Sequence, residues 1–230
     1  MFGGTNLKQK CLKLSTVLAV LSIPGVASPV FIANPSFETP VLSQPFAFGI
    51  TSWTCTATCV TIMATDFSIF ASAPDGTQVA ALGEAGGAES DAMSQTLSAT
   101  LLANTLYTLT FYVGNPSDIS AYNYSGYQVI LAANGVTLAT DTNAVSPAAG
   151  QFVKDTLTFN SGASPAELGQ ALSITLNDNF HVGATAFAVD FDDVQLDATT
   201  TSSGTVPEPG AWAMVAAGLG LIGAAKRSRR

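Results

Sequence analysis

Basic side chains are scarce where they would matter. Between residues 14 and 225 the only one is Lys154, while all 16 acidic residues fall in that stretch, from Glu38 to Glu208. The middle of the chain therefore carries a charge of −15. A field of that sign repels phosphate backbones, which excludes nucleic acid as a natural partner and suits cations or neutral ligands. Charged residues of either sign make up only 10% of the chain, well below the usual quarter. Histidine occurs once, at His181, and cysteine three times, at 11, 55 and 59. That is too few ligands for an ordinary zinc site. No glycine-rich phosphate loop is present, and no serine stands in a nucleophile-elbow context. Paired carboxylates could serve a glycosidase, but the acids gather at turns without a cleft signature. On this reading the chain is not an enzyme. Long apolar runs and internal repeats are missing too, so an ordinary membrane span and a solenoid are both unexpected.

What is there begins at the ends. Lys8, Lys10 and Lys13 precede the apolar stretch Leu14 to Ile23, and Val26-Ala27-Ser28 follows Pro24-Gly25. A charged start, a short apolar core and small residues describe a signal peptide over residues 1–27, with cleavage favoured after Ala27 because Pro29 hinders a later cut. At the other end Ala211 to Ala225 carries no charge, and Lys226-Arg227-Ser228-Arg229-Arg230 closes the chain. A helix over the apolar part covers roughly 22 Å, short of a ~30 Å hydrocarbon core, so it inserts poorly. The basic tail stays cytoplasmic by the positive-inside rule. Val206-Pro207-Glu208-Pro209, the small-residue apolar helix and the arginine cluster together resemble the PEP-CTERM sorting signal of Gram-negative bacteria, whose helix some schemes name an ice-binding-protein C-terminal domain. The resemblance implies an exosortase as processing partner and transient anchoring in the inner membrane. Cell surface or extracellular polysaccharide is the implied destination. Ice binding does not follow, since no regular threonine array is visible.

Between the ends, residues 30–196 read as β-structure, and the Thr/Ser/Gly run 197–205 reads as a flexible linker. Tyr107 to Val113 alternates apolar and polar, as a half-buried strand does. Tyr127 to Ala133, Asn134-Gly135 and Val136 to Thr140 form a hairpin pattern, with Asn-Gly suited to a type I′ turn. Phe152 to Phe159, Leu172 to Leu176 and Ala186 to Leu196 follow as strands. Earlier candidates are Phe31 to Phe37, Phe46 to Trp53, Val60 to Met63, Thr77 to Leu82 and Ala92 to Leu97. Many short strands without helical periodicity argue an all-β sandwich or jelly roll. Asn34-Pro35-Ser36-Phe37-Glu38 at the start, Trp53, Pro74 to Ala80, Tyr107 to Phe111 and Phe191-Asp192-Asp193-Val194-Gln195-Leu196 at the close resemble the galactose-binding-like jelly rolls, which include many carbohydrate-binding modules.

Three constellations follow. The resemblance implies a structural calcium site made by Glu38 with Asp192 or Asp193, calcium being an oxygen-seeking cation; the alternative is a solvated acidic turn. Phe187, Val189 and Phe191 share one parity while Val194 and Leu196 have the other, so a bulge at Asp192-Asp193 is expected. Cys55 and Cys59 are expected to form a disulfide in an exported chain, which requires the intervening segment to turn, because four extended residues span roughly 13 Å. Two free thiols are the alternative. Tyr122, Tyr124 and Tyr127 could stack on sugar rings or merely cap a loop, and Trp53 is assigned to the core. The function expected is that of an exported, non-enzymatic surface or matrix protein that binds glycan, with a purely structural or adhesive role as the alternative and a glycan-active hydrolase behind it.

Overall fold

A computed structural model describes residues 25–56, 59–66, 69–83, 91–117, 123–124, 126–178 and 187–201. Thirteen strands among them make two sheets. The larger contains, in spatial order, β11 (Gln151–Asn160), β7 (Thr105–Asn115), β13 (Phe187–Thr200), β5 (Gln78–Leu82), β4 (Cys59–Met63) and β2 (Phe46–Phe48). Along β13 it also carries β1 (Ala27–Val30) and β8 (Asn123–Tyr124). The smaller runs β10 (Val136–Thr142), β9 (Tyr127–Ala133), β12 (Ala171–Asp178), β6 (Ala92–Thr100) and β3 (Thr54–Cys55). Among the described residues every pairing is antiparallel except the two-residue contact of β8 with β13 and one isolated bridge. The result is an all-β sandwich of jelly-roll type. Among the described residues no helix is long and apolar enough to cross a membrane.

Alternation in the sequence builds the core. On β7 the side chains of Tyr107, Leu109, Phe111 and Val113 are buried while Leu106, Thr108, Thr110 and Tyr112 are only partly so. Facing them from the smaller sheet are Tyr127, Val129, Leu131, Leu172, Ile174 and Leu176, all fully buried. Trp53 joins this core beside Phe37, their ring centroids 5.7 Å apart, and its indole N–H donates to the Asn34 carbonyl at 3.2 Å. Asn134 and Gly135 both have positive φ (50° and 78°), the pair of values that closes the β9–β10 hairpin.

The long last strand changes parity through a bulge. Register with β7 shifts between Asp192 and Gln195, Asp193 has φ 47°, and the Val194 N–H donates to the Pro35 carbonyl at 3.0 Å. Val189 and Phe191 on one side of the bulge and Val194 and Leu196 on the other thus all reach the core.

Three sequence expectations are corrected. Residues 31–37 are not a strand: β1 ends at Val30 and the chain turns there, with positive φ at Asn34 and Phe37. The stretch Phe46 to Trp53 is strand only as far as Phe48, because Gly49 and Ser52 take positive φ. Asp197 to Thr200, read as linker, extends β13, where Thr199 is partnered by Ala27 on one side and Leu106 on the other.

Candidate active site

Sheet register fixes which side chains share the outer face of the larger sheet. Phe152, Gly114, Asp190, Ala81, Val60 and Phe48 fall in one row across six strands. A second row holds Lys154, Tyr112 and Asp192 at one side and Val79, Ile62 and Phe46 at the other. The apolar part of this face is covered. The chain after β4 folds back over it, with the Phe70 N–H on the Ala64 carbonyl (3.0 Å) and the Ser117 N–H on the Ile69 carbonyl (3.0 Å). Ile62, Ala64, Ile69, Phe70 and Val79 form a second buried cluster, and Val60, Ala73, Ala81 and Phe152 pack against it.

A cavity of about 310 Å³ lies in this cover, with Phe46, Val60, Ile62, Ile69, Pro116 and Asp190 among its walls. Asp190 is the only ionisable side chain on that wall among the described residues. It is 1% exposed, and its Oδ1 has no hydrogen-bond partner among the described residues. Burial among alkyl groups pushes its carboxyl well above the usual carboxylate range, because nothing compensates the charged form for lost water. The arrangement is chemically specific: a buried carboxyl whose charged form is disfavoured faces an apolar space. Such a group can donate a proton to a neutral substrate and then leave an anion beside the cation it has made.

Asp192, two residues further along β13, is built differently. Its Oδ2 accepts the Asp75 N–H at 2.9 Å and its Oδ1 the Asp193 N–H at 2.7 Å. Burial pushes its carboxyl up to about 8; the two amide bonds oppose that rise and the charges of Asp193 and Asp75 add to it. Glu38 reaches the same segment from the other end: its Oε1 accepts the N–H groups of Thr77 (2.7 Å) and Gln78 (2.6 Å) and its Oε2 the Thr77 hydroxyl (3.3 Å). Asp193 accepts the Gln195 side-chain amide at 2.5 Å. Glu38, Asp192 and Asp193 come to one neighbourhood, but their oxygens are engaged by backbone and side-chain donors. Among the described residues no three Asp, Glu, His or Cys side chains gather as a metal site. Their bonds pin the Asp75–Gln78 segment to β13 and to the chain after β1.

Cys55 and Cys59 are joined, with Cα atoms 5.9 Å apart. Cys55 belongs to β3 in the smaller sheet and Cys59 to β4 in the larger, so the bond ties the two layers together beside Val60 of the cavity floor. Tyr127 does not stack on a surface sugar. Its ring is fully buried edge-on to Phe111 and Phe191, and its hydroxyl donates to Asp155 Oδ2 and accepts the Val145 N–H at 3.0 Å. Tyr124 is half-buried against the core with its hydroxyl unpartnered, and burial, with the Asp155 charge, pushes that hydroxyl up to about 12. Tyr122, His181 and the sorting residues Val206, Pro207, Glu208 and Pro209 lie outside the described residues.

Sequence reasoning passed over Asp190 and the residues around it. A signal was present. Val60 and Ile62 on β4, and Val79 and Ala81 on β5, make these strands apolar on both faces, which implies cover on both. An acid on the neighbouring strand at an outward position is out of place in such cover.

Residues 28–197 match the HpiC1-like family, described as HpiC1 cyclase. The chain belongs to that cyclase family. Residues 205–230 separately match the PEP-CTERM protein-sorting motif. A solved Stig cyclase, Fisc from Fischerella sp. TAU in complex with (3Z)-3-(1-methyl-2-pyrrolidinylidene)-3H-indole, is 27% identical, with a TM-score of 0.69 over 77% of this chain and 100% of its own. A cyclase from Fischerella sp. TAU in complex with 4-(1H-indol-3-yl)butan-2-one is 26% identical, with a TM-score of 0.68 over 76% of this chain and 100% of its own. An apo-form cyclase from Fischerella sp. is 26% identical, with a TM-score of 0.67 over 77% and 98%. No curated protein matches the chain. These cyclase likenesses overturn the expectation of a non-enzymatic surface or matrix domain. The reason it failed is physical: ring closure needs neither a catalytic triad nor a phosphate loop, and those were the signatures whose absence spoke against catalysis.

Proposed function

We propose that the protein is an exported cyclase that protonates a neutral, unsaturated, largely apolar substrate from Asp190 and lets it close a ring inside the cavity over the larger sheet. One observation carries this reading: a wholly buried carboxyl, its Oδ1 without a partner, is the only ionisable group on the wall of an apolar cavity among the described residues. The reaction is an isomerisation. The Asp190 proton goes to an sp² atom of the substrate, the electron pair of a neighbouring double bond closes the ring onto the resulting cation, and a proton leaves the product. Apolar walls keep water from trapping the cation first. Two of the similar cyclases were solved with indole-derived ligands, so indoles bearing an unsaturated side chain are the first substrates to test.

The C-terminal match supports export and sorting. On this reading the signal peptide leads the chain out, the weak apolar tail tethers it to the inner membrane, and an exosortase removes that tail. The enzyme is then released to the cell surface or into the extracellular polysaccharide. The test of the function is turnover: formation of isomeric, ring-closed products from unsaturated indoles, followed by liquid chromatography and mass spectrometry, with loss of conversion in Asp190→Asn. Conversion undiminished in that variant would overturn the assignment.

A further inference from the structure

The outer face of the larger sheet holds a second cavity. It measures about 210 Å³ and is bordered by Ser72, Pro74, Tyr112, Gly150, Gln151 and Phe152. Phe152 and Asp190 flank Gly114 in the same row of the sheet, so their Cα atoms stand about two strand spacings, roughly 10 Å, apart. Two features show how the ring divides the space. It packs on Phe70 with centroids 4.2 Å apart, and Phe70 directly follows Ile69, which walls the first cavity. It also lies over Gly114 so closely that a Cβ there would run into it. The backbone bond from Ser117 to Ile69 completes the wall: Gly150 of the second cavity sits against Ser117, and Pro116 beside it lines the first. Among the described residues, the Phe70–Phe152 pair and the Ser117–Ile69 bond thus join residues that line the first space to residues that line the second.

We propose that Phe152, braced by Phe70 and admitted by Gly114, is the specificity-determining residue that ends the substrate cavity and sets the length of apolar substrate it accepts. This rests on the reading of the first cavity as the substrate site and adds to it a limit on substrate size. The second cavity is the space that a longer substrate would occupy once the aromatic partition is opened. Its rim is more polar, with Ser72, Gln151 and the Tyr112 ring under the Lys154 ammonium (5.7 Å to the centroid), so it takes the polar end of such a molecule.

The test measures binding and needs no turnover. N-phenyl-1-naphthylamine, a neutral fluorescent probe, is bound to the full chain and displaced by straight-chain primary alcohols of increasing length. Each CH₂ that enters the cavity tightens binding about fourfold, and the series levels off when the cavity is full. Phe152→Ala is expected to move the plateau to longer alcohols, with the fourfold gain continuing for at least about two further carbons. Phe152→Leu, the safer substitution for folding, and Phe70→Ala are expected to move it the same way. An unchanged plateau in folded Phe152→Leu and Phe70→Ala would overturn the proposal. Failure of the wild-type chain to bind the probe at all would instead overturn the reading of the first cavity on which it depends.

Discussion

Replacing Asp190 with Asn separates catalysis from stability, because the two should move in opposite directions. The amide has the shape of the acid but no proton to give. General acid catalysis contributes about 10²–10⁴-fold, so turnover should fall by that factor, equivalent to about 3–5 kcal/mol of barrier. Stability should behave otherwise. The folded chain holds the Asp190 carboxyl protonated well above its ordinary range. Between the ordinary value and the raised one, the unfolded chain has released its proton while the folded chain keeps it. Wild-type stability therefore falls as pH rises through that window, by about 1.4 kcal/mol per pH unit. The amide of the Asp190→Asn variant does not titrate, so this slope disappears. Against the gain stands the amide NH₂, buried without a partner at about 1–3 kcal/mol, which is constant with pH. The variant should thus be slightly less stable than wild type near pH 4 and overtake it as pH rises. Urea unfolding at a series of pH values from 4 to 8, alongside the turnover assay, reads both effects. If the stability difference stays flat with pH, Asp190 is hydrated and ionised in the fold, and the proton-donor argument fails whatever the turnover shows.

Asp192→Asn should cost about 1–3 kcal/mol at pH 5, because the amide nitrogen cannot accept one of the N–H groups of Asp75 or Asp193. The cost should shrink toward pH 8, since the wild-type carboxyl, pushed up to about 8 by burial, loses stability over that range; a cost that grows with pH in chemical unfolding would refute this. Tyr127→Phe removes a hydroxyl bonded to both Asp155 and the Val145 N–H across the sandwich. Thermal unfolding should show about 1–3 kcal/mol lost, and an unchanged Tm would mean the buried network adds nothing. Glu38→Gln should lower Tm equally with and without EDTA if its role is to hold the amides of Thr77 and Gln78; a loss that disappears in EDTA would assign it to a cation instead.

The sheets were legible because inward and outward residues alternate and because turns carry their own chemistry. Tyr107 to Val113 assigned its own faces, and Asn134-Gly135 closed its own hairpin. The bulge at Asp192-Asp193 was legible as a parity conflict, since no regular strand can bury Phe191 and Val194 together. Residues 31–37 looked like a strand because Phe31 and Ile32 are apolar, yet Phe31 is 75% exposed and the chain turns at Asn34. Tyr127 is more instructive. It shares parity with Val129 and Leu131, so its own strand had already placed it inside; proximity to the loop tyrosines wrongly suggested a platform. For the acids, meeting was legible and purpose was not. Glu38 and Asp192 do converge on Asp75–Gln78, but sequence cannot tell whether a carboxylate found there accepts amides or holds a cation. Asp190 was invisible for another reason. Its significance depends on Ala81 and Gly114 standing beside it, and those pairings join strands far apart in the chain.

Fold alone does not decide function, and here both faces of the larger sheet are buried for different purposes. The inner face packs Phe111, Val113 and Phe191 tightly, where an acid would be costly and useless. The outer face is covered by Ala64, Ile69 and Phe70, which leave a gap over β13 and β4, and the acid stands in that gap. Burying a carboxyl without a partner costs stability, and such costs concentrate at functional sites. The sheet supplies the rigidity that such a role needs: Asp190 is fixed between β5 and β7 by backbone pairing on both sides, and the disulfide at Cys59 holds the neighbouring floor strand to the opposite layer. If Asp190 is the proton donor proposed above, its backbone is held in place on both sides. On the proposed reading orientation is therefore built into the scaffold, while Phe46 and Ile69 of the wall and the Phe70–Phe152 pair beside it select what is cyclised.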